Sequence, residues 1–310
     1  MNLQHLKYAV EVEKTRSFTK AADNLYMGQP NLSKAVRELE KAVGFDIFMR
    51  SSKGVYPTKQ GSLFLNYAES ILMQISEMET LYSGGKKGKL TFSISVPRAS
   101  YISYAFTRFL AENLEDKDTN INYLETNLQA TISGVLSSEY NLGVVRFQKQ
   151  YEQYYLDLVK NRGLVCEEIA EFSCSALMSK DGYLAGYDVV NEEDLKGYVE
   201  LLHGDISNPM IKQNKSLVDY NKSGHKKIYI YERGSQFDIL NMAKSTYILV
   251  SKVPKETLER YNLVEVKCDI KSNRFKDILI QKENYNQRVL DKKFIKILKE
   301  VWAELSQEGN

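Results

Sequence analysis

Polar and basic side chains recur at three-residue intervals in one short segment near the start of the chain. Asn31, Lys34 and Arg37 fall on one face of any helix that forms there. Lysine and arginine can donate to guanine acceptors or to phosphates, and asparagine can bond adenine or the nucleic-acid backbone. A solvated amphipathic helix also shows a polar, basic face, so the spacing alone leaves both interpretations open.

Two predicted helices, separated by a short break, position this segment. Ser17 is the predicted N-cap of the first helix. Its buried face consists of Phe18, Ala21, Ala22 and Leu25. The break falls at residues 26–28, and Pro30 restarts the helix because proline fits the first helical turn. The second helix has an apolar inner face of Leu32, Val36, Leu39 and Val43, and an outer face that includes Asn31, Ser33, Lys34 and Arg37. A glycine-containing turn before a basic helix is typical of a helix-turn-helix.

The charge distribution agrees with a nucleic-acid partner for this end of the chain. Residues 1–60 contain ten Lys/Arg against six Asp/Glu, whereas the whole chain of 310 residues has a formal charge of only +2. The positive field is therefore concentrated at the N-terminus. The length and the 43% of hydrophobic residues predict two or three soluble globular units.

The run from Ser17 to Arg50 resembles the signature of the LysR-type transcription regulators almost position by position. The matching residues, in the family's order and spacing, are Ser17, Phe18, Thr19, Ala21, Ala22, Leu25, Gln29, Pro30, Leu32, Ser33, Leu39, Glu40, Gly44, Ile47, Phe48 and Arg50. Residues 51–58 have the glycine and extended residues of a small hairpin, where the family carries its wing. Pro57 stands where the family usually has leucine, while Thr58 and Gly61 remain.

The resemblance implies a winged helix-turn-helix over residues 1–58 that binds double-stranded DNA. The expected DNA-binding residues are Gln29, Pro30, Asn31, Ser33, Lys34, Arg37, Arg50 and Lys53. Arg37 and Lys34 can reach guanine acceptors or phosphates, whereas Arg50 and Lys53 are expected to hold phosphates.

A long amphipathic helix is predicted next, as a linker over residues 59–83. Its apolar stripe consists of Phe64, Tyr67, Ile71, Ile75, Met78 and Tyr82. A single helix cannot bury such a stripe alone, and the family pairs this helix in a homodimer, with homotetramers also known. Packing of the helix onto its own domain is the alternative, which fits Leu63 and Leu65. Residues 84–89 contain three glycines and are the predicted hinge.

Residues 90–310 alternate strand-like and helical runs, which predicts an α/β unit. The expected strands cover residues 90–96, 121–124, 142–145, 172–178, 199–203, 228–231, 247–251, 263–268 and 275–281, and the last helix runs from about 288 to 305. The layout resembles the family's effector-binding domain, two subdomains similar to periplasmic solute-binding proteins. Subdomain I is expected at about 90–162 and 268–310, and subdomain II at about 163–267.

Ligands of α/β sheets bind beyond the carboxyl ends of the strands, which selects the loops after three strands of subdomain I. The expected effector-binding residues are Ser100, Tyr101, Thr126, Asn127 and Arg146, with His203 facing them from subdomain II. A helix N-terminus near hydroxyls and a guanidinium suits a small anion. Each residue also has an ordinary structural role open to it, such as a cap or a surface ion pair.

Other functional classes find little support. The chain has no P-loop, no G-x-S-x-G, no H-E-x-x-H and no dinucleotide-binding glycine motif, so an enzyme is not expected. The three cysteines lack metal or disulfide spacing, and no metal or cofactor is expected. A solute-binding transport protein would explain only residues 90–310. A repressor that senses nothing stays open. Without an export signal or membrane-spanning run, the protein is expected in the cytoplasm.

Overall fold

The computed structural model describes residues 2–51, 54–82, 89–114, 118–205 and 226–307, which form two compact units. The N-terminal unit contains helices α1 (Leu3–Thr15), α2 (Phe18–Asn24) and α3 (Gln29–Val43), strands β1 (Phe48–Ser51) and β2 (Gly54–Pro57), and helix α4 (Lys59–Tyr82). The predicted winged helix-turn-helix is therefore confirmed as a fold.

The predicted start signals of α2 and α3 are also confirmed. The Ser17 side chain accepts from the Lys20 backbone N–H at 3.3 Å and so caps α2. Gly28 is the N-cap of α3, and Pro30 lies in its first turn, where proline's missing N–H leaves no helical bond unmade. Strands β1 and β2 pair antiparallel, with Phe48 opposite Pro57.

Helix α4 packs against its own domain more extensively than the sequence predicted. Its Leu65 and Ala68 are buried in the core that α1, α2 and α3 build around Leu6, Leu32 and Leu39. Phe64 and Ile71, assigned to a stripe facing a partner, pack against this same core. That part of the assignment is corrected, because the first turns of α4 cover the helix-turn-helix. Among the residues of α4 whose burial is described, Leu63 and Tyr67 are large, apolar and exposed.

The C-terminal unit begins with a five-stranded sheet in the order β4-β3-β5-β13-β6. Its strands are β3 (Lys89–Val96), β4 (Asp118–Glu125), β5 (Leu142–Gln148), β6 (Leu164–Ser173) and β13 (Arg274–Lys282). The helices of this part are α5 (Ser100–Ala111), α6 (Leu128–Leu136), α7 (Glu152–Asn161) and α11 (Val289–Gln307), α11 covering the predicted last helix. Of the predicted hinge, only Lys89 lies within the described residues, and it begins β3.

A second sheet has six strands in the order β10-β9-β11-β7-β12-β8. Its strands are β7 (Ser175–Ser179), β8 (Val189–Asn191), β9 (Val199–His203), β10 (Lys226–Ile230), β11 (Thr246–Val250) and β12 (Leu263–Asp269). Its helices are α8 (Glu192–Leu195), α9 (Gly234–Met242) and α10 (Lys255–Arg260). Strands β9, β10 and β11 run parallel, so their carboxyl ends lie at one edge.

The chain crosses between the two sheets twice, and the crossings correct two predictions. The run predicted as one strand over 172–178 is two strands, because β6 pairs with β13 in the first sheet while β7 pairs with β11 and β12 in the second. Subdomain I therefore extends to Ser173 rather than ending near 162, and its return begins at Arg274 rather than at 268. Asn273 ties the crossings together by donating to the Cys174 carbonyl at 2.7 Å.

Candidate nucleic-acid interface and ligand cleft

One concave face of α3 brings together the polar residues that the sequence selected. It is lined by Gln29, Pro30, Ser33, Lys34, Arg37, Glu38 and Lys41. Lys34 and Arg37 are exposed on it, and Asn31 is exposed on the preceding turn. Three exposed cations, Lys34, Arg37 and Lys41, outnumber the single carboxylate of Glu38 there, so the face carries a net positive charge.

The burial of Ser33 differs from the prediction that it lies on the outer face of α3 with Lys34 and Arg37. It lies on the concave face but is only 8% exposed. Gln29 and Arg37 stand one turn before and after it, and their longer side chains project beyond a serine hydroxyl. A nucleic acid resting on α3 would therefore meet Gln29 and Arg37 before Ser33.

The wing and the turn after α1 supply further basic residues. Strand β1 places Arg50 opposite Val55 of β2, while Lys53 lies outside the described residues. Sequence reasoning missed Arg16, an exposed residue at the end of α1 with a left-handed φ of 55°. Its guanidinium lies 5.6 Å from the Tyr56 ring, and its carbonyl accepts from the Val55 N–H at 3.1 Å. Arg16 thus adds a cation beside the wing.

Two contacts fix the wing relative to α3 and α4. The Glu40 carboxylate accepts from the backbone N–H groups of Ile47 and Phe48 at 2.9 and 3.1 Å. Thr58 caps α4 by accepting from the Gly61 N–H at 2.9 Å. A Cβ at Gly61 would lie 1.9 Å from the Ile47 carbonyl oxygen, so α4 approaches the chain there more closely than any other residue allows.

In the C-terminal unit, Arg98 and Asp205 form an ion pair that joins the two sheets, and the region between the sheets around this pair is called the cleft below. Arg98 follows β3, Asp205 follows β9, and the guanidinium donates to both carboxylate oxygens at 2.8 and 3.0 Å. Arg98 also donates to the Tyr231 carbonyl at 3.1 Å, and Asn127 donates to the Asp205 carbonyl at 3.0 Å. Arg98 joins residues that follow the carboxyl ends of strands in both sheets, where ligands of α/β folds bind.

A second arginine bridges the same cleft, this time from the wall that contains the second sheet. Arg233 precedes α9 of the second sheet and donates to Glu125, at the end of β4, at 2.6 Å. Its other terminal nitrogen donates to the Ser100 hydroxyl at 2.8 Å. Each wall of the cleft therefore contributes one guanidinium and one carboxylate, and the four charges balance.

His203 is the last residue of β9, two positions before Asp205, and its surroundings favour the neutral imidazole. Burial, reinforced by the positive charges of Arg98 and Arg233, lowers its pKa to about 4. Its Nδ1 atom is buried and has no hydrogen-bond partner among the residues that the structure describes. Because buried polar atoms in proteins are usually hydrogen-bonded, this nitrogen is expected to have a hydrogen-bond partner.

Arg146 and Tyr101 have hydrogen-bond partners within the protein, and their predicted role in effector binding stays a prediction. Arg146 donates to both oxygens of Asp277 at 2.8 and 2.7 Å, and the fully buried Tyr101 donates to Asp277 at 2.6 Å. Burial and the adjacent carboxylate raise the pKa of Tyr101, so its hydroxyl keeps its proton. Arg146 Nη2 also reaches the Ser251 hydroxyl at 3.3 Å. These groups are bonded within the protein.

The remaining predicted residues have caps and backbone contacts. Asn127 caps α6 by accepting from the Ala130 N–H at 3.0 Å, and the Thr126 N–H donates to the Val96 carbonyl at 2.9 Å. Sequence reasoning missed Glu125, Asp205 and Arg233 as members of the cleft. Their signal was positional, because Glu125 ends β4 while Asp205 and Arg233 come two or three residues after β9 and β10, but their meeting depends on the strand order.

Comparisons with known proteins identify the N-terminal unit. Residues 3–62 match the family model described as bacterial regulatory helix-turn-helix protein, lysR family. A probable RuBisCO transcriptional regulator of Phaeodactylum tricornutum is 30% identical over 196 residues, 62% of this chain and 61% of that protein. The regulator BenM of Acinetobacter baylyi is 40% identical over 81 residues, 26% of this chain and 27% of that protein. The chain thus aligns with less than two thirds of the length of either relative.

Solved structures share the whole layout. Full-length LysG of Corynebacterium glutamicum with bound effector Arg has a TM-score of 0.62 at 14% identity, covering 98% of this chain and 99% of that one. A full-length OxyR variant of Pseudomonas aeruginosa has a TM-score of 0.54 at 14% identity, covering 99% and 96%. At these identities the likeness shows the fold alone.

The N-terminal unit is therefore similar to the helix-turn-helix of the lysR family of bacterial regulators. In this chain it is followed by a two-sheet α/β unit. Both of these relatives are named as transcriptional regulators. No helix among the described residues is long and apolar enough to cross a bilayer.

Proposed function

We propose that this protein is a transcription regulator that binds double-stranded DNA through α3 and the wing. The observation that carries the proposal is the concave face of α3, where Lys34 and Arg37 are exposed within a matched helix-turn-helix. An α-helix fits the major groove, and an arginine there can donate two bonds to guanine. The wing, with Arg50 in β1 and Arg16 beside it, is positioned to meet the phosphate backbone.

A homodimer through α4 is part of the proposal. Helix α4 spans 24 residues, and its exposed Leu63 and Tyr67 lie one turn apart on the same face. Two exposed apolar side chains of this size favour burial against a second copy of the helix. Dimeric helix-turn-helix proteins contact two half-sites, so a dimer would also favour an operator with two related halves.

Control by a small molecule bound in the cleft of the C-terminal unit completes the proposal. The cleft lies at the carboxyl ends of strands from both sheets and is joined across by Arg98 and Arg233. A ligand that favours one spacing of the subdomains over another would shift their equilibrium, and hence the state of the DNA-binding units. The polar side chains that close the cleft can exchange their present hydrogen bonds for bonds to a ligand, because each protein–protein bond that breaks can be replaced by a protein–ligand bond.

Selection of DNA from fragmented genomic DNA of the source organism tests the proposal. The purified full chain should enrich a small set of fragments that share a two-part sequence, and binding should weaken as salt rises because phosphate contacts release counterions. Enrichment that depends on fragment length alone, with no shared sequence, would contradict a specific regulator. Adding an effector found by thermal shift should then change the affinity or the protected length on the enriched fragment.

A further inference from the structure

We infer that the ligand of the cleft in the C-terminal unit is an α-amino acid in its zwitterionic form, with its carboxylate on Arg233 and its ammonium group on Glu125. This inference rests on the proposed effector control. A zwitterion replaces the small anion that the sequence favoured, because the charged side chains of the cleft balance rather than sum to a positive charge.

The arrangement of the four charged side chains excludes ligands of a single sign. A simple anion that displaced Glu125 from Arg233 would leave a carboxylate without its cation, and Glu125 is only 18% exposed. A simple cation would leave Arg233, at 15% exposure, without its anion. Uncompensated charges in partly buried sites are unfavourable. A ligand that carries both signs on adjacent groups replaces each lost partner in one step.

Arg233 and Glu125 form the pair that a ligand can open more readily. Arg98 makes two bonds to the Asp205 carboxylate and a third to the Tyr231 carbonyl, and Asn127 holds the Asp205 backbone. Arg233 makes one bond to Glu125 and one to Ser100. Glu125 also accepts from the Tyr123 hydroxyl at the longer distance of 3.4 Å. Arg98 and Asp205 therefore hold the walls together, whereas the bond between Arg233 and Glu125 can be replaced by bonds to a ligand.

Neighbouring groups suit the same ligand. The Ser100 hydroxyl, now bonded to Arg233, can donate to a carboxylate oxygen once Arg233 turns to the ligand. His203 Nδ1, close in sequence to Asp205, has no partner among the described residues and can bond one further polar group. Because His203 is neutral, it adds no charge that would favour an anion over a zwitterion.

Calorimetric titration of the full-length protein tests the assignment. The panel contains the twenty standard amino acids, and for each that binds, the acid that lacks the amino group and the amine that lacks the carboxylate. At least one amino acid should bind, and both its analogues should bind at least tenfold more weakly. Glu125→Gln should reduce the preference for the amino acid over its desamino analogue at least tenfold, whereas Arg233→Gln should weaken both. Glu259→Gln, an exposed glutamate on α10, should leave the preference unchanged.

Several outcomes overturn the inference without touching the proposed regulator. If the acid that lacks the amino group binds as tightly as its amino acid, or if the preference survives both Glu125→Gln and Glu125→Ala, the ammonium is not held by Glu125. If no panel compound binds, the amino-acid class is wrong. Gel shifts on the selected DNA with the same protein preparation then show separately whether specific DNA binding stands.

Discussion

Arg146 and Asp277 lie opposite each other on neighbouring antiparallel strands and form a two-bond ion pair, with Nε to Oδ1 at 2.8 Å and Nη2 to Oδ2 at 2.7 Å. Asp277 is fully buried, and Tyr101 of α5 donates to the same carboxylate. The guanidinium also stacks over the Phe172 ring at 4.8 Å. One carboxylate thereby connects β5, β13 and α5.

Removing the cation from this pair should strongly destabilise the C-terminal unit. Arg146→Met should lower the free energy of unfolding by about 3–5 kcal/mol, because it leaves a buried carboxylate without its partner. Tyr101→Phe should cost about 1.5–3 kcal/mol, the range for a hydrogen bond to a charged group. Arg274→Met, which breaks the exposed pair with Glu171, should cost less than about 1 kcal/mol and serves as the control in urea unfolding. Equal losses in Arg146→Met and Arg274→Met would show that burial does not set the cost.

The junction of wing and linker helix should be sensitive to a single methyl group. Gly61→Ala should destabilise the N-terminal unit by about 1–3 kcal/mol or more, because the new Cβ meets the backbone oxygen of Ile47. Gly197→Ala is the matched control, since a Cβ there meets no atom within 4 Å. Thermal unfolding followed by circular dichroism measures both, and a Gly61→Ala protein as stable as Gly197→Ala would mean that α4 does not approach Ile47 so closely.

The stability of the C-terminal unit should contain a pH-dependent contribution from His203. Its folded pKa of about 4 lies below the ordinary value of about 6.5, so between these values the unfolded chain binds a proton that the folded chain does not. Stability from this group is therefore present above pH 6.5 and is lost as the pH falls toward 4. From pH 7 to 5, the wild type should lose up to about 2 kcal/mol more than His203→Gln. Parallel pH curves for the two proteins in urea unfolding would contradict the burial of a neutral imidazole.

Assembly through α4 should depend on its exposed apolar residues. Leu63→Glu combined with Tyr67→Glu places two carboxylates on the proposed seam, where burial against a second copy would be unfavourable. Sedimentation velocity should show monomers for this variant and dimers for the wild type. The control is Lys59→Glu with Gln60→Glu, two exposed positions one turn earlier on α4. A double variant that sediments as an intact dimer would place the interface elsewhere.

The N-terminal unit could be predicted in detail because its signals are local. The Ser17 cap, the glycine before α3 and the restart at Pro30 act within a few residues, and all three lie where the spacing indicated. The charged cleft could not be predicted, because Arg98 and Asp205 are 107 residues apart and meet only once the strand order is known. The single strand predicted over 172–178 was wrong for the same reason, since an apolar run does not show which sheet its halves join.

Specific recognition of DNA by α3 is tested most directly by a gel-shift titration of Arg37→Ala on the enriched operator at fixed salt. Loss of an arginine that donates to a base should weaken operator binding by about 1–3 kcal/mol, roughly five- to 150-fold, with a smaller effect on unrelated DNA. Arg260→Ala removes the same charge from an exposed position on α10 and should bind within about twofold of wild type. Operator binding by Arg37→Ala that matches wild type, or equal weakening in both variants, would contradict the assignment of α3 as the recognition helix.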